Sequence, residues 1–184
     1  MPVRRETMVR AAPLLLNGDM TQNRGGKGAG AVLGAATVAT GLVAGLLFAY
    51  VCSVMPALAR SDDRVFVEVM RNINEVIQNP VFFTAFLGAP ILTGVAAWQH
   101  RATRARVWTL AGFVLCVAVF LVTTAANVPL NEALATTSDP AAARSAFEDS
   151  WVAWHMVRSI LSVAGLVCLL RAMTVRRAPY RESA

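Results

Sequence analysis

Four long apolar runs constrain this chain more than any other feature. Ala31–Met55, Val81–Trp98 and Val107–Ala126 contain no charged side chain, and Val157–Met173 contains only Arg158 and Arg171. An apolar helix needs about 20 residues to cross roughly 30 Å of hydrocarbon. Each run is long enough to span, or becomes so with its flanking turn. Composition agrees: 56% of the 184 residues are hydrophobic and 15% charged, against about 25% charged in a soluble domain. The expected fold is all-α, an integral membrane four-helix bundle with spans at about 31–55, 81–98, 107–126 and 157–173.

The net charge of +6 is a topology signal and does not point to a nucleic-acid partner. Twelve of the 17 Lys and Arg residues lie in the N-terminal segment, the loop of Arg101, Arg104 and Arg106, or the C-terminal end from Arg171. The excess of positive charge marks the cytoplasmic side. Both termini and the middle loop are therefore expected in the cytoplasm, with the protein multi-pass in the plasma membrane. Residues 1–30 read as a disordered basic cytoplasmic tail, and residues 174–184 as a second tail. Leu14-Leu15-Leu16 is too short for a signal-peptide core of about 7–15 residues, and translation from Met8 or Met20 would remove most of the first tail. Cys52, Cys116 and Cys168 lie in apolar segments without a CxxC spacing and read as buried small hydrophobes.

Between the first two spans lies a segment of another kind. Val65, Phe66, Val69, Met70, Ile73, Val76 and Ile77 recur at helical spacing on one face. Arg64/Glu68 and Arg71/Glu75 stand four apart on the other. Ser61 or Asp62 can cap its start. Under 20 residues long, this amphipathic helix is expected on the extracytoplasmic side, lying on the membrane surface or capping the bundle. Asn79-Pro80 then restarts the chain as N-cap and first helical residue. Within the first span, Gly41-Leu-Val-Ala-Gly45 is a GxxxG that serves either packing inside the bundle or a homodimer face through Gly41 and Gly45. His100, beside the arginines of the middle loop, reads as a solvated loop histidine.

The fourth span opens with polar residues on a single face. At about 100° per residue, Phe147, Trp151, His155, Arg158 and Ser162 fall within roughly 80° of arc, flanked by Glu148 and Trp154. An imidazole and a guanidinium at hydrocarbon depth are costly, and by default they face a bundle interior or a wet cavity. The third span ends in Thr123-Thr-Ala-Ala-Asn127-Val-Pro129-Leu-Asn131. If the helix continues through a proline kink, Thr123, Asn127 and Asn131 form a second polar stripe at the same end. Otherwise Asn127 stops one helix and caps the next.

This end offers proton transfer and anion stabilisation. His155 is the candidate base, and Arg158 with Asn127 or Asn131 would hold an oxyanion in a dry site. Trp151, Trp154, Phe147 and Phe66 are candidate stacking faces for an aromatic ligand. The bland alternative is interfacial anchoring by tryptophans and a snorkelling arginine. No phosphate loop, nucleophile elbow or HExxH occurs. Glu148 and His155 alone fall short of a metal site, so neither a metal nor another cofactor is expected.

Gly41-Leu-Val-Ala-Gly45-Leu-Leu-Phe48, Val54-Met-Pro56-Ala-Leu, Asp63-Arg-Val-Phe66, Met70-Arg-Asn-Ile-Asn74, Asn79-Pro80, Asn127-Val-Pro129-Leu-Asn131 and Trp151-Val-Ala-Trp154-His155-Met-Val-Arg158 together resemble the anthrone-oxygenase-like family over about Gly30 to Met173. The resemblance implies a small four-helix membrane protein. It also implies oxidation of an aromatic or quinone-like substrate by O2 without flavin, haem or metal. Under it, His155 would be the base, Arg158 with Asn127 or Asn131 the oxyanion partners, and Trp151 the stacking face. A non-catalytic membrane protein that binds or assembles with another membrane component is the alternative. A small-solute transporter ranks third, because no span shows paired helix interruptions.

Overall fold

Two of the four spans change helical pitch just before a proline, and both changes lie at one end of the bundle. The computed structural model describes residues 6–177, with side chains described from Gly28 to Arg176. In chain order the helices are α1 (Glu6–Ala49), α2 (Met55–Leu58), α3 (Asp63–Val76), α4 (Pro80–Gln99), α5 (Arg106–Val122), α6 (Val128–Thr136) and α7 (Pro140–Arg177). A π turn at Tyr50–Val54 joins α1 to α2, and a second at Thr123–Asn127 joins α5 to α6. Among the described residues, four helical stretches are long and apolar enough to cross a membrane: Gly28–Leu58, Pro80–Gln99, Arg106–Thr136 and Pro140–Arg176. The protein is a helical membrane bundle of four spans. Of the tail expected over 1–30, residues 6–30 belong to α1, and side chains are described only from Gly28. Most of the C-terminal tail lies outside the described residues.

Each π turn has a local cause. Proline has no N–H, and its ring crowds the carbonyl four residues back. Pro56 and Pro129 would meet the carbonyls of Cys52 and Ala125 in a regular α-helix. Instead the residue before each proline bonds five back, Met55 N–H to the Tyr50 carbonyl and Val128 N–H to that of Thr123. The wider turn lets the helix pass the proline without breaking. Thus Asn127 makes no side-chain cap, and the continuous-helix alternative is the one that forms.

The bundle turns its large apolar side chains outward. Val38, Leu42, Ile91, Val114, Ile160 and Val167 are all more than half exposed, as hydrocarbon permits and water would not. The interior is built from small residues: Ala36, Ala39, Ala89, Ala96, Ala105 and Ala172 are buried, which lets backbones approach closely. Buried hydroxyls return to their own helices, Thr93 to the Ala89 carbonyl at 2.8 Å and Ser159 to that of His155 at 2.7 Å. One close crossing is α5 on α7. A Cβ on Gly112 would lie 2.8 Å from Leu169 Cδ2 and 3.1 Å from its Cγ, and Leu169 is fully buried. Gly112→Ala is therefore expected to cost about 1–3 kcal/mol and to lower the thermal midpoint in detergent. Gly34→Ala, where nothing lies within 4 Å, is the matched control, with a midpoint unchanged or higher. A Cβ on Gly41 would meet Leu166 Cδ1 of the same chain at 3.7 Å, whereas one on Gly45 would meet nothing within 4 Å.

The amphipathic helix α3 is a cap. Phe66, Val67 and Met70 are buried together with Leu134, Ala143, Phe147 and Trp151 from α6 and α7. Asp62 caps it by accepting from Val65 N–H at 3.0 Å. The expected pairing of Arg71 with Glu75 does not form. Arg71 instead donates to the carbonyls of Leu134 (3.0 Å) and Thr137 (2.5 Å), carbonyls that the end of α6 leaves open. Arg144 ties the cap to α7 through Asp63, Glu148 and the carbonyls of Ser61 and Ala59.

Two sequence expectations are corrected at other places. His100 is 2% exposed, with Nδ1 2.9 Å from the Ala96 carbonyl. Its ring folds back on the last turn of α4 and shares the Ala96 carbonyl with the backbone N–H of His100, which bonds it at 3.0 Å. Of the three cysteines, all free, Cys116 is buried, Cys168 is half-buried and Cys52 is exposed, because the first π turn presents Cys52 on the outer surface.

Candidate functional site

The polar stripe of α7 points inward at the capped end, between the two π turns. Phe147, Trp151 and His155 rise one helical turn apart, and their rings stack. The Phe147 and Trp151 centroids are 5.6 Å apart, and those of Trp151 and His155 are 4.7 Å apart with 9° between planes. Arg158 places its Cζ 5.2 Å from the Trp151 ring centroid, a cation–π contact. Tyr50, which opens the first π turn, sets its ring 5.6 Å from that of His155.

Both nitrogens of His155 are engaged. Nε2 lies 3.0 Å from the Leu47 carbonyl, and Nδ1 receives Arg158 Nε at 3.2 Å and Nη2 at 2.9 Å. A carbonyl only accepts and a guanidinium only donates. The ring therefore carries its proton on Nε2 and accepts at Nδ1, which is the neutral tautomer. Its lone pair, the one a base would use, is held by Arg158. The histidine itself is 2% exposed.

The third span supplies the facing wall. Thr123 Oγ1 accepts from Arg158 Nη1 at 3.4 Å, Asn127 Nδ2 donates to the Trp151 carbonyl at 3.4 Å, and Asn131 Oδ1 accepts from Trp151 Nε1 at 2.8 Å. All three residues of the second stripe thus meet α7. The Asn127 amide cannot be reversed, because its oxygen would then face another acceptor. Oδ1 of this residue, 1% exposed, has no hydrogen-bond partner. A buried amide oxygen is an acceptor for an O–H or N–H. Asn127 therefore offers an acceptor beside the amide N–H that the sequence suggested for an oxyanion.

Among the described residues, Arg158 forms no ion pair with a carboxylate. Glu148, an acid on the same helix, bonds Arg144 at 2.6 Å. The guanidinium sits among an imidazole, a hydroxyl and an indole face. An inward cation without a counter-anion is the costly element of this site.

The four aromatic candidates separate. Trp151 lies in the cluster with 2% exposure, and its faces meet Phe147 and His155. Phe66 and Phe147 are buried in the cap, 6.2 Å apart and edge to face, with Arg144 Cζ 4.6 Å from the Phe66 centroid. Trp154 is 45% exposed and turns away from the stripe. Sequence reasoning missed Tyr50, Leu47 and Thr123 as partners of His155 and Arg158. Tyr50 lies near the end of the first apolar run and gave only an interfacial-aromatic signal; a backbone carbonyl gives none.

Beside His155 the surface opens into a groove of about 420 Å³, bounded by Val51, Met55, Pro56 and Ala59 from the α1 side and by residues 148–156 of α7. No three His, Cys, Asp or Glu side chains gather among the described residues.

A family model described as anthrone oxygenase matches residues 76–168, half of the chain. The match is narrower than the resemblance from Gly30 to Met173, yet it includes Asn127, Asn131, Trp151, His155 and Arg158. No curated protein and no solved structure matches the chain.

Proposed function

The chain belongs to the anthrone oxygenase family, and on that premise we propose that it is an oxygenase of the plasma membrane, oxidising an aromatic or quinone-like substrate with O2. The observation that carries this reading is the His155–Arg158 pair: a neutral imidazole whose only free lone pair is held by a guanidinium without a carboxylate partner. A substrate whose methylene is acidified by a ring carbonyl brings an oxygen that competes for that guanidinium. As Arg158 turns to this oxygen, Nδ1 of His155 is released to take the carbon-bound proton. The imidazolium keeps its Nε2 bond to Leu47, and the enolate oxygen stays on Arg158 in a dry setting, where such contacts are strongest. The electron-rich anion passes an electron to O2, and radical recombination gives a peroxide. Loss of water from the peroxide leaves a ketone, so one O2 yields one carbonyl and one water. Asn127 Oδ1 takes a phenolic or water O–H in this reading, and the Trp151–Asn131 bond holds the indole against His155 so that the ring keeps its tilt.

Membranes containing the wild type are expected to consume O2 and form the quinone from an anthrone, and His155→Ala membranes to do so at least about a hundredfold more slowly. Wild-type uptake no greater than that of empty membranes, across a panel of anthrones and hydroquinones, would overturn the reading. Equal rates in wild type and His155→Ala would remove the assignment of the base alone.

The site in this reading opens on the extracytoplasmic side. Ala102→Cys should resist a membrane-impermeant maleimide in intact cells, while Ser138→Cys, exposed in the loop before α7, should react. The reverse labelling would invert the topology.

A further inference from the structure

The groove beside His155 lies on the outer wall of the bundle. One side is Val51, Met55 and Pro56, the other Val152, Ala153 and Met156. Met156 and Val157 are 41% and 40% exposed, so the groove is continuous with the lipid-facing surface. A molecule dissolved in the bilayer reaches it sideways, without crossing water. His155 lines it but is nearly covered, so only an edge of the ring is offered.

The polar end of the groove is Glu148 and Asp149, about 9–10 Å from His155 along α7. The two acids differ. Glu148 is neutralised by Arg144 at 2.6 Å. Asp149 is exposed and makes no ion pair or hydrogen bond among the described residues. An apolar trough with an imidazole at one end and an uncompensated carboxylate at the other fits a flat apolar body with a hydroxyl donor at its far edge. It opposes a molecule that brings a second carboxylate there, since two like charges a few ångströms apart repel even near water.

We propose that this groove is the lateral entrance to the site, that it admits an uncharged hydroxyl-bearing aromatic molecule from the bilayer, and that Asp149 turns away molecules carrying a carboxylate. The inference rests on the reading above, in which His155 meets the substrate. It concerns binding and can be tested without turnover.

The test uses the full chain in nanodiscs of zwitterionic phosphatidylcholine, with binding measured by equilibrium dialysis and corrected with empty nanodiscs. The probes are 2-naphthol and 6-hydroxy-2-naphthoate, which differ by one carboxylate. Wild type should bind the naphthol at least about tenfold more tightly than the naphthoate. Asp149→Lys should shrink that ratio by at least about tenfold. Ala153→Trp, which fills the groove from an exposed position, should reduce both to the level of empty nanodiscs with an unchanged melting temperature. The proposal fails if Ala153→Trp binds naphthol like the wild type, if Asp149→Lys leaves the ratio unchanged, or if wild type binds no naphthol. Binding as expected without O2 uptake on any anthrone would overturn the oxygenase reading and leave the entrance standing. O2 uptake undiminished in Ala153→Trp would do the opposite.

Discussion

Oxygen uptake by membranes carrying Arg158→Met is expected to fall by about two to three orders of magnitude, the range for losing a donor that stabilises developing negative charge. Arg158→Lys should recover little of it. The guanidinium bonds His155 Nδ1 through two nitrogens, reaches Thr123 with the third and lies beside the Trp151 ring. An ammonium is a point donor on a flexible stem and cannot hold that planar set. Stability should move the other way. Methionine fills a similar volume without a charge, and removing an inward cation that has no counter-anion relieves a desolvation cost. The thermal midpoint of Arg158→Met in detergent is therefore expected to equal or exceed that of the wild type. Lower uptake with an equal or higher midpoint is the mark of a residue retained for function. Lower uptake with a collapsed midpoint would mean that Arg158 holds the bundle together, and the site assignment would fall.

The second large effect concerns the cap. Arg144→Ala removes bonds of 2.6 Å to Glu148, 3.0 Å to Asp63, 2.9 Å to the Ser61 carbonyl and 3.2 Å to that of Ala59, as well as the contact over Phe66. Charge-assisted bonds of this kind stabilise by about 1.5–3 kcal/mol each when shielded and by less when wet. Asp63 is half exposed, so the sum is set at roughly 2–4 kcal/mol. The loss should be local, because the other anchors of α3 are Phe66, Val67 and Met70 in the cap core and the Arg71 bonds to α6. Amide exchange in Asp63–Val76 should accelerate by more than about tenfold, while α4, at the other face of the bundle, exchanges as before. Uniform acceleration would show that Arg144 supports the whole fold, and no acceleration would show that the apolar face alone holds the cap.

Much of the architecture was legible because it follows from local, periodic properties. The apolar runs, the Asn79-Pro80 start and the single apolar face of α3 each need only neighbouring residues. The convergence of Thr123, Asn127 and Asn131 was legible as one of two alternatives, and the structure forms the kinked, continuous one. The π turns were not read, although Pro56 and Pro129 were seen, because a proline can end a helix, bend it or widen it, and only the packing around it selects among these. His100 was misjudged for a similar reason: its loop is polar in sequence, yet its ring has a carbonyl of its own helix to cover.

The site shows the same division at finer grain. The residues of the α7 stripe could be named from their angular spacing, since one helix sets their face. Which lone pair of His155 is filled could not, because its partner Leu47 is 108 positions away in the chain. That Asn127 bonds the Trp151 carbonyl, that Asn131 takes the Trp151 indole N–H and that Thr123 receives Arg158 depend equally on contacts between elements. The sequence by itself determined a four-span bundle and placed an imidazole and a guanidinium on the face of one helix, because periodicity and solvent preference act residue by residue. Only the tertiary structure decided what those groups hold, because hydrogen bonds are spent pairwise, and the partners meet only once the bundle has closed.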